Sequence, residues 1–392
     1  MDETVQGSGD ALPPPPDAGT PGPGPETPPP PLATGAPSEI QRGLLWWLLI
    51  VGVGGIGFLL LGRPEGALLF AVAGVFALAQ ATDAAAAVEG YRAWVREKLP
   101  RESVHGLLFR VLVRSIVPAG GAVFYLLLVA FAQMQAELPH RRVAILWCVL
   151  AALASLATAW RPCADAVMRV LFRGTPGRTR RLTARLVVLA VLLPVPARIL
   201  FPAMLDSIRE SGTSLVDTGT LLSQLAGEIA LALAGVGLFV RRDWRATLDR
   251  LGLVALRRRD LFVIAAGVAA AIVLNGGADW LERHAFPALY RSDTDITRTI
   301  AAHLPLLSSI VLGVSAGLGE ELAVRGALQP RLGIVMSSLV FACGHVQYSW
   351  FGMASVGLLG MLLGVIRKRS STTAAIVVHV LYDIFAALTA GG

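Results

Sequence analysis

The stretch LPLLSSIVLGVSAGL, residues 304–318, carries no charge and runs straight into Gly319-Glu320-Glu321-Leu322-Ala323-Val324-Arg325. With its flanks it forms an apolar run over 302–324, long enough to cross a bilayer as a helix, which takes about 20 residues. In hydrocarbon every backbone N–H and C=O must be paired within its own segment, so such a run must be helical. Similar runs recur near 43–62, 66–86, 114–132, 143–160, 183–204, 220–240, 261–278, 332–350, 353–366 and 372–390. The chain lacks the alternating segments of about ten residues that mark a transmembrane barrel. The expected fold class is therefore all-α, a polytopic transmembrane helical bundle of about 11 spans. Pro194 and Pro196 are expected to kink the fifth segment.

The composition agrees. Of 392 residues, 54% are hydrophobic and 16% charged, against about 25% charged in soluble chains. The net charge of +7 comes from arginines placed mainly in loops. Arg92, Arg96, Lys98 and Arg101 follow the second segment. Arg161, Arg169, Arg173, Arg178, Arg180, Arg181 and Arg185 follow the fourth. Arg241, Arg242, Arg245, Arg250, Arg257, Arg258 and Arg259 follow the sixth, and Arg367, Lys368 and Arg369 the tenth. The loop over 205–217 carries Asp206, Glu210 and Asp217 instead. Alternate loops are thus basic, the pattern that places them in the cytoplasm. The expectation is a bacterial inner-membrane protein with its N-terminus cytoplasmic and its C-terminus periplasmic. The positive charge implies contact with anionic lipid headgroups and no nucleic-acid partner. Cys148, Cys163 and Cys343 are odd in number and far apart, which suggests neither a disulfide framework nor a zinc site.

Residues 1–40 stand apart. PPPP at 13–16, PGPGP at 21–25 and PPPPP at 28–32 leave no apolar periodicity, so a disordered, partly polyproline II tail is expected there. Residues 43–278 hold N-terminal transmembrane helices whose role the sequence does not disclose. Residues 300–392 concentrate the chemistry.

An ionisable group inside a spanning segment is costly and is a functional candidate by default. The 300–390 stretch reads as the exception among largely uncharged runs. Glu320 and Glu321 point about 100° apart on a helix and so take different roles. Glu321 and Arg325 stand four apart, acid first, the favourable order for a helical ion pair. Glu320 is left without a local partner, the situation of a general base tuned toward neutral pH. The competing reading has both acids ending the helix at the interface, with Arg325 snorkelling. Phe341-Ala342-Cys343-Gly344-His345 and His379-Val380-Leu381-Tyr382-Asp383 follow. His379 and Asp383 share a helix face. Glu320 and His379 both fall near the cytoplasmic end of their segments. His345 reaches that depth only if its segment starts late or is broken, which Gly333 and Gly344 allow.

These motifs, EELAVR at 320–325, FACGH at 341–345 and HVLYD at 379–383, resemble in order the EExxxR, FxxxH and HxxxN/D pattern of the CPBP family. That family comprises type II CAAX prenyl endopeptidases and bacteriocin-processing (Abi) proteins. The resemblance covers about the last ninety residues. It implies an intramembrane glutamic endopeptidase with a peptide or protein substrate and no cofactor or metal. It implies Glu320 as the base that activates water, His345 as its positioner, and His379 with residue 383 as stabilisers of the oxyanion. Glu321 and Arg325 would brace the site, and Phe341 belongs to the second motif. Asp383 departs from the common asparagine, whose NH₂ could donate to an oxyanion. Either Asp383 holds a proton or it orients His379. Three other readings compete: a non-catalytic scaffold or immunity protein of the same fold, a zinc hydrolase using Glu and two His, and a transporter. HExxH and an inverted repeat are both absent.

Overall fold

The computed structural model describes residues 37–86, 104–172, 177–211, 217–301 and 306–390. The proline-rich tail up to residue 36, the cluster Arg92, Arg96, Lys98 and Arg101, and Arg173 lie outside these. Among the described residues there are helices and no named strand. In chain order they are α1 (Pro37–Leu60), α2 (Pro64–Ala85), α3 (Val104–Met134), α4 (Arg141–Ala157), α5 (Arg161–Leu171), α6 (Arg178–Leu192), α7 (Pro194–Ser211), α8 (Thr218–Val236), α9 (Trp244–Leu251), α10 (Arg258–Ala285), α11 (Pro287–Ala301), α12 (Leu306–Glu321), a π-helical segment (Leu322–Leu328), α13 (Gln329–Gly344), α14 (Trp350–Arg369) and α15 (Thr372–Ala390).

Among the described residues, eight helices are long and apolar enough to cross a membrane, or up to ten if each of two bent pairs is one span. Each of the apolar segments read from the sequence falls on one of these. The spans bury only 11–44% of their most apolar windows. Large apolar side chains such as Leu45, Leu48, Ile56, Phe262 and Val273 face outward. Only a lipid solvent makes that arrangement stable, so this is a multi-pass membrane protein.

The two bent pairs have local causes. α6 and α7 meet at 55°, at Pro194, which lacks the N–H that would continue the helix. α4 and α5 meet at 98°. α5 alternates Arg161, Asp165 and Arg169 with the buried Ala164 and Met168, the pattern of a helix lying in the membrane interface. α1 begins at Pro37, within the stretch 1–40 expected as tail. Pro37 suits a first helical turn, and Ile40 already packs with Trp47, Phe70 and Phe76.

The C-terminal segments depart from the expected outline in two places. The eighth and ninth segments form one continuous helical path, Ser309–Gly344, broken where Gly333 adopts φ 77°, ψ 175°. Its two arms run antiparallel, as their contacts with α14 show. Gly364 lies against Gln329 and Ile334, while Gly360 lies against Arg325, Ser338 and Phe341. Moving from 364 to 360, the first arm decreases in number and the second increases. A Cβ at either glycine would press on side chains of both arms, so this G-x-x-x-G face favours the close packing. Second, α13 stops at Gly344, not at 350. His345 takes the non-helical φ −95°, ψ 49° and Ser349 caps α14 by accepting from the Gly352 amide. Residues 345–349 are therefore a turn inside the bundle. No spanning segment is expected between 278 and 300. There α10 continues to Ala285 and the amphipathic α11 follows, with Asp293 and Ile296 turned inward.

α12 sits between α8 and α15, and α10 packs against α14 and α15. The arginine-bearing segment around α9 docks at one end of this group. Arg250 donates to the Gly326 carbonyl at 3.0 Å, and the Thr372 amide donates to the Gly252 carbonyl at 3.1 Å.

Candidate active site

Glu320 and Glu321 end α12 just before the helix widens into its π segment, a distortion common at functional sites. Glu321 turns inward and is fully buried. Its Oε1 lies 2.9 Å from Arg325 Nη1, and both side chains are 0% exposed. The i, i+4 pair read from the sequence is therefore formed, and it is internal, not interfacial with a snorkelling arginine. Arg325 Nη2 also donates to the Gly360 carbonyl at 3.0 Å. Its guanidinium lies 4.4 Å from the centre of the Phe341 ring, a cation–π contact. One buried cation thus ties α12, α13 and α14 together.

His379 enters from α15, with its imidazole between carboxyl groups. Nδ1 lies 3.1 Å from Glu321 Oε1. Nε2 lies 3.4 Å from Asp383 Oδ2 and 4.0 Å from Glu320 Oε2. Each nitrogen that carries hydrogen has a carboxylate to donate to. Asp383 thus stands beside His379 on the same helix face. Glu320 and Asp383 side chains keep 19% and 20% exposure, whereas Glu321 keeps none. Of the adjacent acids, Glu320 is the one that stays accessible.

His345 does not join this cluster directly. Its Nδ1 pairs with the Phe341 carbonyl at 3.0 Å. A carbonyl only accepts, so Nδ1 carries the hydrogen and Nε2 is the acceptor of the neutral ring. The Phe341 ring is edge-on to both imidazoles, with centroids 4.7 Å from His345 and 6.0 Å from His379. Phe341 is thus the apolar spacer that brings the second motif beside the third. The Tyr348 ring stacks parallel to His345 at 6.4 Å. Burial raises the Tyr348 phenol above its usual range, so the ring stays neutral at physiological pH. The turn is held at Ser349, whose amide donates to Asp293 Oδ1 at 2.8 Å. The Ser349 hydroxyl lies 2.7 Å from Asp293 Oδ2 and 3.1 Å from Glu282 Oε1.

The sequence reading missed Glu228. It lies in the 220–240 segment, so the 300–390 stretch is not alone in carrying ionisable groups, and the rule that marks an intramembrane acid as functional applied to it too. On α8, Glu228 packs against the Gly319 backbone, one residue from Glu320. Its Oε1 accepts from Gln224 Nε2 at 3.0 Å.

Close approach of α12 and α15 sets the distances to His379. A methyl built at Gly317 would lie 2.8 Å from the Val380 amide nitrogen. Backbone cannot yield as a side-chain tip can, so Gly317→Ala is expected to push α15 away at a cost of about 1–3 kcal/mol. Thermal denaturation in detergent checks this. An unchanged melting temperature would mean that the two helices are not held at this separation.

Residues 302–385 match a family model described as Type II CAAX prenyl endopeptidase Rce1-like. The chain is also 30% identical over 138 residues to the uncharacterized protein YpbD of Bacillus subtilis strain 168, spanning 35% of this chain and 70% of YpbD. No solved structure matches it. The matched residues begin just before α12 and end within α15, so they contain the site residues above except Glu228 and the two acids that hold the turn, Glu282 and Asp293.

Proposed function

This chain belongs to the Rce1-like type II CAAX prenyl endopeptidase family, and from that membership we propose that it hydrolyses a peptide bond within the membrane using water activated by Glu320. The observation that carries the reading is the pair of unlike neighbours: Glu321 locked on Arg325 at 2.9 Å, and Glu320 free of any such lock, 4.0 Å from His379. A base must be accessible and unneutralised, and Glu320 alone of the two qualifies. Water loses a proton to Glu320 as its oxygen bonds the scissile carbonyl carbon. His345 accepts a hydrogen bond from that water at Nε2. His379, held by Asp383, donates to the oxyanion that develops. Glu321, Arg325 and Phe341 keep these groups in place. No residue is assigned to a metal or a cofactor.

The docking of Arg250 and its neighbours beside the π segment supports a cavity opening to the cytoplasm, with the N-terminus on that side, the C-terminus periplasmic and the chain in the bacterial inner membrane. Lipids and a peptide or protein substrate are the proposed partners, and residues 300–392 the proposed catalytic portion. The family description makes a CAAX-tailed, prenylated peptide the first substrate to try. The full chain in liposomes is given a quenched-fluorescence peptide ending in a farnesylated CAAX sequence, and the same peptide without the lipid. Cleavage of either by the natural chain, insensitive to strong chelators and absent in Glu320→Gln, is the expected result. Cleavage by both chains would overturn the role of Glu320, and cleavage stopped by chelators would favour the zinc hydrolase.

A further inference from the structure

Four carboxyl groups meet at this site: Glu320 and Glu321 from α12, Asp383 from α15, and Glu228 from α8. Among the described residues, the side chains in contact that can balance them are His379 and, beside Glu321, Arg325. In a low-dielectric interior a surplus of negative charge is expensive, so two cations cannot leave all four acids ionised. Protons must reside on the acids themselves. Glu321 faces both Arg325 and His379, and Asp383 faces His379. Glu228 faces neither cation at contact distance. Its electrostatic neighbours are Glu320 and His379. Gln224, on its own helix, donates to its Oε1. Its Oε2 is buried and has no hydrogen-bond partner among the described residues. From α2, Glu65 reaches α8 only at Ser223. A buried carboxyl with an oxygen that no donor meets, and with no cation in contact, is less costly as a neutral acid than as a carboxylate.

We propose that Glu228 is a positioning residue of this site, whose carboxylic acid holds the proton that leaves its neighbour Glu320 ionised and able to take one from water. The proposal rests on the reading of Glu320 as the base. The proton balance closes without a further reactant. Water gives a proton to Glu320 as its oxygen bonds the carbonyl carbon. The C–N bond breaks, and Glu320 returns that proton to the departing amine. Glu228 begins and ends the cycle with its own proton. The consequence for the architecture is that the site is completed from a helix outside residues 302–385.

Two measurements on the full chain in liposomes test this. The first needs no substrate: the infrared difference between the natural chain and Glu228→Gln near neutral pH. Loss of a protonated-carboxyl C=O band is expected, and loss of a carboxylate stretch instead would overturn the proposal. The second is cleavage of the farnesylated CAAX peptide. Glu228→Gln imitates the protonated acid at every pH, so it removes the rate loss that ionisation of Glu228 beside Glu320 would cause at high pH. KM should be unchanged and the alkaline limb of the pH–rate profile displaced. A purely structural role would not move that limb. An unaltered pH–rate profile would refute the idea even with the infrared result in hand. The two readings fail separately: normal cleavage by Glu320→Gln removes the proteolytic assignment, while the infrared band still reports where the Glu228 proton sits.

Discussion

Glu320→Gln is expected to reduce kcat by about 10²–10⁴-fold, the contribution of a positioned proton-transfer group, while leaving the folded chain intact. The geometry predicts both halves. Glutamine has the size of glutamate but cannot take a proton from water. Among the described residues Glu320 forms no salt link tighter than 4.0 Å, so its neutral isostere breaks no buried pair seen there. The neighbouring substitution is the control. Glu321→Gln keeps the same volume but removes the charge that Arg325 and His379 meet at 2.9 and 3.1 Å, and it should lower stability as well as activity. Full turnover by Glu320→Gln, with Glu321→Gln also folded and active, would leave neither carboxylate a role in catalysis. Initial rates, with melting temperatures for both variants, decide the matter.

The parts of this site that were legible in the sequence are those fixed by helical spacing. Residues four apart on one helix must be neighbours, which is why Glu321 with Arg325, and His379 with Asp383, stand together as expected. Span positions were legible for the same kind of reason, since a bilayer sets helix length. What escaped depends on the third dimension. No spacing rule announces that the helix widens to a π turn after Glu321, and that widening follows from packing. The reversal at Gly333 was visible only as a glycine that could break a helix. Its effect, antiparallel arms that deliver Phe341 and His345 beside Arg325, needed α14 in place with glycines at 360 and 364. Glu228 was overlooked for another reason. The lone acid in TLLSQLAGEIALALAG belongs to no motif and has the spacing of an ordinary span, although the cost of an ionisable group in lipid is the same wherever it sits.

Arg325→Leu is expected to cost about 3–5 kcal/mol of stability, as breaking a buried ion pair by removing one partner does. The reason lies in what is left behind. Leucine fills much of the space but strands Glu321, which is 0% exposed. It also leaves the Gly360 carbonyl without its donor and the Phe341 ring without its cation. Three helices lose their common tether at once, so the variant should appear as a sharp fall in melting temperature and in the folded fraction recovered in detergent. The double variant Arg325→Leu with Glu321→Leu tests whether the stranded charge is the cause. Removing both members of a buried pair is often close to neutral, so most of the lost stability should return. Recovery stays incomplete because Glu321 also meets His379 at 3.1 Å. A double variant no more stable than Arg325→Leu alone would show that the guanidinium holds the site through Gly360 and Phe341, not through Glu321.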